Sequence, residues 1–443
     1  MHRLYSWPWI EAQVAAIVEA WGSCASRRLP DAPHYSPAEQ RKREMAYDAG
    51  LQAVERELKK TRGTRSAALR RTTQQRLTAA FARFAATALD LDDNAIELLI
   101  ADFLPVGTQL ARWARAFDPG LSMPDIIQAC RNAWTACGLQ PLLGERVMLT
   151  PSILGYSLLY PYSDTYLDGA VSNASKLRFS RRFRSRLEGG PIAPADQREA
   201  ALWAMVDLIE EQYPRTQFPA VFDCLLAIHR AQEHSIAQVG RLCSEAELLR
   251  MSCAKGGSSV LADGCLAHGW LNTEESHFSF EWGVLLQLGD DLQDVREDMN
   301  RGSVTLFSGP ARRGERLDNR VTQLLTFSER VAARMEELPH GSATLKGLLR
   351  MSWRSLILMA IAESHQFFSP QFLEDTERLS PFRFAFLRER REKLAARQGL
   401  YAMLFNAFVE PLEDEDDPVI PLPAIRAGAG AAASALPIET PVL

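Results

Sequence analysis

Four aspartates lie close together in the segment 287–307, which reads QLGDDLQDVREDMNRGSVTLF. Three of them, Asp290, Asp294 and Asp298, are spaced four residues apart, so on a helix they would form one stripe of carboxylates. Like charges at this spacing repel each other, and the apolar run 278–288 just before them indicates a buried helix. A hard divalent cation would neutralise such a stripe. Mg²⁺ suits best, because it binds few carboxylates and completes its shell with water and phosphate oxygens.

A second acidic pair, Asp164 and Asp168, is again four residues apart and follows the apolar stretch 153–162. A lone acidic run would be interpreted as a solvated helix face, here with Arg296 and Arg301 as nearby partners. Two such pairs favour a different interpretation. Helices that each carry an inward pair of carboxylates can face one another across a bundle and hold metal ions between them.

The bulk composition describes an ordinary globular chain that can bury a core. It has 443 residues, of which 47% are hydrophobic and 24% charged, and its net charge of -5 does not favour nucleic acid as a partner. The seven cysteines are dispersed without a CxxC pair, which is typical of reduced thiols. No secretion signal precedes the helices, and no apolar run reaches the roughly 20 residues that a membrane span needs. We therefore expect a cytoplasmic protein without stable membrane insertion.

Helical spacing of apolar residues dominates the chain and strand signals are scarce, so the fold class is predicted to be all-α. We divide the chain into an N-terminal helical extension (1–76), a main helical domain (77–410) and an acidic, Ala- and Pro-rich tail (411–443) that should be disordered. The extension should contain one basic amphipathic helix from Glu39 to Arg76.

Several prolines punctuate the helical stretches. Breaks between helices are expected at Pro105, Pro119-Gly120, Pro141, Gly189-Gly190-Pro191, Pro214, Pro219, Gly309-Pro310, Pro339 and Pro370. The helices most relevant to the acidic segment are predicted over Glu245–Gly269 and through the apolar run that ends at Leu288.

The segment 287–307 resembles the second aspartate-rich motif of the class I isoprenoid (terpenoid) synthases, and in particular its squalene and phytoene synthase form. On that match Asp294 and Asp298 are the D-x-x-x-D pair, followed by the basic-Gly step at Arg301. The DDxxD string that starts at Asp290 additionally resembles the motif of trans-prenyltransferases, and the segment 163–169, SDTYLDG, resembles the first motif. The resemblance covers about residues 85–408, and the two motifs are its persuasive part.

The resemblance implies a class I isoprenoid synthase-type helical bundle in which the two motifs face each other and bind Mg²⁺. It implies a linear prenyl diphosphate as substrate, ionised to a carbocation as diphosphate leaves. The implied metal ligands are Asp164, Asp168, Asp290, Asp291, Asp294 and Asp298, and four of these, Asp164, Asp168, Asp290 and Asp294, are implied as catalytic.

The subclass stays open. Neither the N-D-x-x-S-x-x-x-E triad of typical microbial cyclases nor an R-R-G after the first motif is present. We favour a terpene synthase whose cation cyclises or is quenched. The alternative is a prenyltransferase, by chain elongation or by squalene/phytoene-type coupling of two prenyl diphosphates. A non-catalytic binding module or inactive subunit is disfavoured, because facing carboxylates are costly to retain without a ligand. A homodimer is compatible with the sequence.

Basic residues near the motifs are candidates for diphosphate binding. Arg178 and Arg182 continue the four-residue spacing of the first acidic pair, Lys255 precedes Gly256-Gly257 between the motifs, and Arg301 belongs to the second motif. The competing interpretations are a solvated basic helix face for the two arginines and a close helix crossing for the two glycines.

A reactive cation must be kept from water in an apolar cavity with aromatic faces. The first candidates for its wall are Tyr160, Phe280 and Trp282. Further aromatic residues lie at helical distance from the motifs: Trp134, Tyr156, Phe222, Phe278 and Trp353. Each of them could instead be an ordinary core residue. His229 and His234 are expected to be hydrogen-bonded helix residues.

Overall fold

The computed structural model describes residues 4–24, 26–61, 67–168, 172–237, 243–395, 407–408 and 420–422. Within these ranges the regular structure is helical throughout and contains no strand, which confirms the all-α prediction. The side chains of some residues inside helices also lie outside the description. They include three predicted site residues, Tyr160, Asp164 and Asp168.

The first half of the chain forms nine α-helices and one π-helical turn over its described residues. They are α1 (Trp7–Ser23), α2 (Pro37–Thr61), α3 (Ala67–Ala88), α4 (Asp93–Leu98), the π turn (Leu99–Phe103), α5 (Leu104–Phe117), α6 (Met123–Leu142), α7 (Pro151–Asp168), α8 (Asn173–Leu187) and α9 (Gln197–Gln212).

The second half adds nine α-helices and a 3₁₀ turn in the part that the structure covers. They are α10 (Pro219–Ala237), α11 (Glu245–His268), α12 (Thr273–Gln293), α13 (Val295–Arg301), α14 (Ser308–Arg312), α15 (Asp318–Glu337), α16 (Ala343–Glu363), the 3₁₀ turn (His365–Phe367), α17 (Pro370–Glu377) and α18 (Phe384–Ala395). No helix among the described residues is long and apolar enough to cross a membrane.

Helices α11 and α12 both begin at capping boxes. The Ser244 side chain accepts a hydrogen bond from the Glu247 backbone while the Glu247 carboxylate accepts one from the Ser244 backbone, and Asn272 and Glu275 repeat the arrangement for α12. These reciprocal bonds satisfy donors that a helix start would leave open. They fix where the two helices start.

Helix α11 runs through the middle of the fold, where it packs against α1, α6, α7, α10 and α12. It meets α12 at two glycines with their backbones almost in contact. A Cβ on Gly283 would lie 2.0 Å from the Gly256 carbonyl oxygen, and a Cβ on Gly256 would lie 2.4 Å from that of Gly283. The close helix crossing weighed for Gly256-Gly257 is therefore present.

Helix α1 of the N-terminal region packs against α11, α12 and α15 of the main helical domain. Tyr5 donates from its hydroxyl to the Leu271 carbonyl at 3.2 Å, and the Trp9 ring lies 5.9 Å from that of Phe280. Helix α1 is thus part of the same core as α11 and α12. The residue proposed as the boundary, Arg76, lies inside α3.

The expectation of one helix over Glu39–Arg76 is wrong. Helices α2 and α3 pack side by side, with the rings of Tyr47 and Phe84 5.2 Å apart. On a straight helix these two residues would be roughly 55 Å apart. The apolar spacing is helical on both sides of the reversal, so periodicity alone did not locate it. The disorder expected for 411–443 stays a prediction, because only 420–422 of that tail belong to the described residues.

The break expected at Pro105 is wrong, whereas the break expected at Pro141 is confirmed to within one residue, since α6 ends at Leu142. Pro105 lies in the first turn of α5, directly after the π turn, and Pro141 lies inside α6 just before its end. In the first turn of a helix the missing backbone donor of proline is tolerated, since that N–H would have no partner within the helix.

Candidate active site

A cavity of about 560 Å³ lies among α6, α7, α8, α10, α11, α12 and α16. Much of its wall is apolar, with Leu159, Phe183, Ile228, Leu286 and Trp353 among the lining side chains. The volume falls within the range of small-molecule binding sites in proteins. An apolar wall of this kind suits a hydrocarbon ligand.

The second acidic segment lies where α12 reaches the edge of this cavity. Asp290 lines the cavity, α12 ends at Gln293, and Asp294 joins it to α13. The backbone N–H of Asp294 donates to the Asp290 carbonyl at 2.9 Å, and that of Asp298 donates to the Asp294 carbonyl at 2.8 Å. The predicted four-residue spacing is therefore kept across the junction. The expected burial is incomplete at Asp290 and Asp294, which keep a large part of their surface exposed.

Asp291 is the buried member of the segment. Its Oδ2 accepts a hydrogen bond from the Ser252 hydroxyl at 2.6 Å, and its Oδ1 accepts one from the Gln287 amide at 2.9 Å. Both carboxylate oxygens therefore have protein partners. A metal ion at Asp291 would have to replace or share these hydrogen bonds, so we rank it below Asp290, Asp294 and Asp298 as a ligand.

The acidic segment carries more negative charge than its surroundings compensate. Partial burial first, then the charges of Asp290, Glu297 and other carboxylates, raises the pKa of Asp294 to about 7. Burial and neighbouring carboxylates likewise raise the pKa of Asp298 to about 6. For Asp291 burial is the main cause of a pKa of about 6, opposed by its two hydrogen bonds. A cation bound here would favour the ionised forms.

The donor set suits Mg²⁺, because it consists of carboxylate oxygens without interleaved histidine or cysteine. Within the described ranges no three acidic, histidine or cysteine side chains lie close enough together to hold a metal ion. The side chains of Asp164 and Asp168 lie outside the description, so four of the six predicted ligands can be placed. The second motif supplies Asp290, which lines the cavity, and Asp294 and Asp298, which follow it at four-residue spacing.

Helix α7, which carries the first motif, borders the same cavity. Tyr156, Leu159 and Ser163 of α7 line it, and Ser163 directly precedes Asp164. Helices α7 and α12 therefore share one cavity. That the carboxylates of Asp164 and Asp168 face those of the second motif stays a prediction.

Of the four predicted diphosphate ligands, Lys255 is the one that borders the cavity. Its positive charge is among the influences that lower the pKa of Asp291, which places it near the acidic segment. Arg182 instead bonds through Nε to Glu199 at 2.8 Å and through Nη2 to the Ala193 carbonyl. Arg178 is exposed, in agreement with a solvated helix face.

Arg301 forms a largely exposed ion pair with Glu297 at 2.5 Å. A second arginine near the segment was not indicated by any motif. Arg391 of α18 interacts electrostatically with Asp294 and Arg296, and it forms an ion pair with Glu363. Burial first, then the charge of Arg296, lowers the pKa of Arg391. Since α18 is distant in sequence, only the tertiary fold reveals this cation.

Two of the three first-choice aromatic residues lie in the core and not on the cavity wall. Phe280 packs against Trp9, and the Trp282 ring lies 5.4 Å from that of Trp353. The third, Tyr160, has a side chain outside the description. Among the further candidates, Trp134, Tyr156 and Trp353 line the cavity. The structure adds Phe183, which no motif singled out.

Two polar residues of the cavity were given no role by the motifs. His229 is buried with its Nε2 3.0 Å from the Ser180 carbonyl, and burial, followed by the charge of Arg184, lowers its pKa to about 4. It is a neutral, hydrogen-bonded helix residue, as expected. Asp263 of α11 also lines the cavity and is almost completely buried. Its only signal in the sequence is an acid within the small-residue stretch 256–264.

Comparisons of the chain with protein-family models, with curated proteins and with solved structures find no match. The cavity and the acidic segment at its edge therefore carry the functional argument.

Proposed function

We propose that the protein is a Mg²⁺-dependent class I terpene synthase, which ionises a linear prenyl diphosphate to a carbocation that cyclises or is quenched. One observation carries this proposal: an acidic segment, whose negative charge its surroundings only partly compensate, lies beside a cavity of about 560 Å³ with a partly apolar wall. A polar leaving group at the edge and a hydrocarbon chain inside match these two environments.

The residues of the proposed site would have the following roles. Asp290, Asp294 and Asp298, together with Asp164 and Asp168, would hold the metal, which when bound supplies positive charge to the leaving diphosphate. Lys255 borders the cavity beside the acidic segment. Its ammonium group is a compact positive charge that is suited to bind phosphate oxygens. The apolar part of the wall keeps water away, so that water does not immediately react with the carbocation.

The test is incubation of the full chain with Mg²⁺ and geranyl, farnesyl or geranylgeranyl diphosphate, each with and without isopentenyl diphosphate. Released diphosphate and extracted products are measured by mass spectrometry. We expect a hydrocarbon or alcohol of unchanged carbon number without isopentenyl diphosphate. Longer prenyl diphosphates formed only with isopentenyl diphosphate would identify chain elongation, and hydrocarbons of doubled carbon number would identify squalene/phytoene-type coupling.

A matched pair of variants links the activity to the site. Asp290→Asn should lose most of the diphosphate release, because it removes a charge at the cavity edge. Asp93→Asn, an equivalent change at an exposed residue of α4, should keep it. No diphosphate release from any of the three substrates would contradict the proposal.

A further inference from the structure

Helix α11 presents a line of polar side chains to the cavity. Lys255, Ser259 and Asp263 all border it, and their four-residue spacing places them on one face of the helix. With a rise of 1.5 Å per residue, Asp263 lies roughly 12 Å along the axis from Lys255. Asp263 is therefore at the far end of this line from the acidic segment, where a bound chain would place its hydrocarbon part.

The carboxyl of Asp263 is poorly satisfied by the protein. It is 1% exposed, and its Oδ1 accepts a hydrogen bond from the Asn132 amide at 3.4 Å, which is long for such a bond. Asn132 shares that amide with the Ser157 hydroxyl at 3.3 Å. The other oxygen, Oδ2, has no hydrogen-bond partner in the part of the chain that the structure describes. Burial raises the pKa of Asp263 well above its usual range.

Three other buried acids of the protein are held by ion pairs, whereas both oxygens of buried Asp291 accept hydrogen bonds. Glu44 is bound by Arg383, Glu199 by Arg182 and Glu281 by Arg334, each through an ion pair with a guanidinium group. Asp263 has no such cation among the described residues. A buried carboxyl without a counter-charge destabilises a fold, so its place on a cavity wall calls for a partner that the cavity admits.

We propose that the inner end of the cavity binds a positively charged group of an otherwise apolar ligand, and that Asp263 is its counter-charge. A cation beside Oδ2 would complete the missing ion pair and favour the carboxylate. In the reaction proposed above the positive group is the carbocation, so the catalytic part of this inference rests on that function. Asn132 would orient the carboxylate through Oδ1.

The test uses binding and not turnover. The full chain, without Mg²⁺ or diphosphate, is titrated with N,N-dimethyloctylamine, which is an ammonium ion at pH 8, and with octan-1-ol as a neutral probe. Affinity is measured by calorimetry or by the fluorescence of the tryptophans, of which Trp134 and Trp353 line the cavity. We expect the amine to bind the unaltered protein more tightly than the alcohol.

Asp263→Asn should weaken amine binding by at least about tenfold, because it removes one partner of a buried charge pair, and should leave alcohol binding unchanged. Asp263→Ala is the second variant, in case the first does not fold. Ser258→Ala is the matched control. Ser258 is a buried residue of the same helix whose hydroxyl lacks a partner among the described residues, and it does not line the cavity.

Three results would each overturn the inference. They are amine binding no tighter than alcohol binding, an amine affinity of the Asp263 variants equal to that of the unaltered protein, and a loss of alcohol binding as large as the loss of amine binding. The last result would mark a hydroxyl-binding site. Because no diphosphate is used, Asp263-dependent amine binding without diphosphate release from prenyl substrates would refute only the proposed enzymatic function.

Discussion

Asp294 connects two helices at the surface, and yet its pKa is raised to about 7. The first cause is partial burial. The second is the negative charge of the neighbouring carboxylates, which nearby positive charge does not fully balance. A residue placed for stability would show the opposite shift, since an ion pair lowers the pKa of an aspartate. The arrangement therefore destabilises the metal-free protein in a way that a bound cation would relieve.

Asp294→Asn should melt at or slightly above the temperature of the unaltered protein when Mg²⁺ is absent and the pH is 8. The raised pKa means that the ionised form destabilises the folded state, and asparagine cannot ionise. At a pH below both the folded and unfolded pKa values the difference should vanish, because the aspartate is then protonated in both states. Thermal unfolding in EDTA at pH 8 and near pH 3.5 measures this.

With Mg²⁺ and substrate, Asp294→Asn and Asp164→Asn should each lower kcat by about 100-fold or more, since each removes a charge that acts in the transition state. Steady-state diphosphate release gives the value. A clear drop of the melting temperature in both variants would instead identify these aspartates as structural hydrogen-bonding residues.

Asp263→Asn should raise stability more at pH 8 than at pH 5. The folded pKa of Asp263 lies above the unfolded value of about 3.9, so between the two the folded state binds more protons and loses stability as the pH rises. The slope is about 1.4 kcal/mol per pH unit within that window. Urea unfolding gives the free energy of unfolding of both proteins at the two pH values. The difference between the proteins reports Asp263 alone, because the other titrating groups contribute equally to both. If Asp263→Asn destabilised the protein equally at pH 5 and pH 8, Asp263 would be a structural partner of Asn132.

At the scale of elements, much of the helical framework is predictable from the sequence. The prediction of Glu245–Gly269 differs from α11 by one residue, because the capping box and the terminal glycine are local signals. The chain reversal between α2 and α3 was missed, since the same apolar period continues on both sides of it. The interruption at Asp294 was also missed, because its backbone bonds keep the helical spacing.

The crossing of α11 and α12 sets the distance between Lys255 and the acidic segment. Gly283→Ala should destabilise the protein by about 1–3 kcal/mol or more, because the new methyl group would lie 2.0 Å from the Gly256 carbonyl oxygen and force the helices apart. It should also lower diphosphate release, as α12 moves away from Lys255. Chemical unfolding and the activity assay report the two effects.

Gly347→Ala is the control for that change. Gly347 lies on an exposed face of α16, and a Cβ there would meet nothing within 4 Å. Alanine is the better helix former, so this variant should be more stable by up to about 1 kcal/mol. If Gly283→Ala behaved in the same way, the two backbones would not be in close contact in solution.

At the scale of the whole molecule, the cavity is the feature that no local pattern reveals. Seven helices contribute to it, and which aromatic residues reach it depends on how each helix is rotated. Trp282 and Trp353 are both buried residues of helices, but only Trp353 lines the cavity. Arg391 and Asp263 belong to the site region through tertiary packing, which explains why motif spacing found the acidic segment and missed both.

Metal removal tests the assembly as a whole. Excess EDTA should abolish diphosphate release, and an excess of Mg²⁺ over the chelator should restore it, because the carboxylates at the cavity edge repel a diphosphate that arrives without a cation. Circular dichroism in EDTA serves as the control that the helices remain folded. Full activity with the chelator present would exclude metal-assisted ionisation.

The packing of α1 has a consequence for how the protein is made. The hydrogen bond from Tyr5 to Leu271 joins residues separated by 266 positions in sequence. During translation α1 is synthesised well before its partners α11 and α12. Until then the apolar face of α1, with Ile10, Val14 and Ile17, has no permanent cover. We expect the docking of this first helix to be a late event of folding, and the nascent chain to depend on chaperones until it occurs.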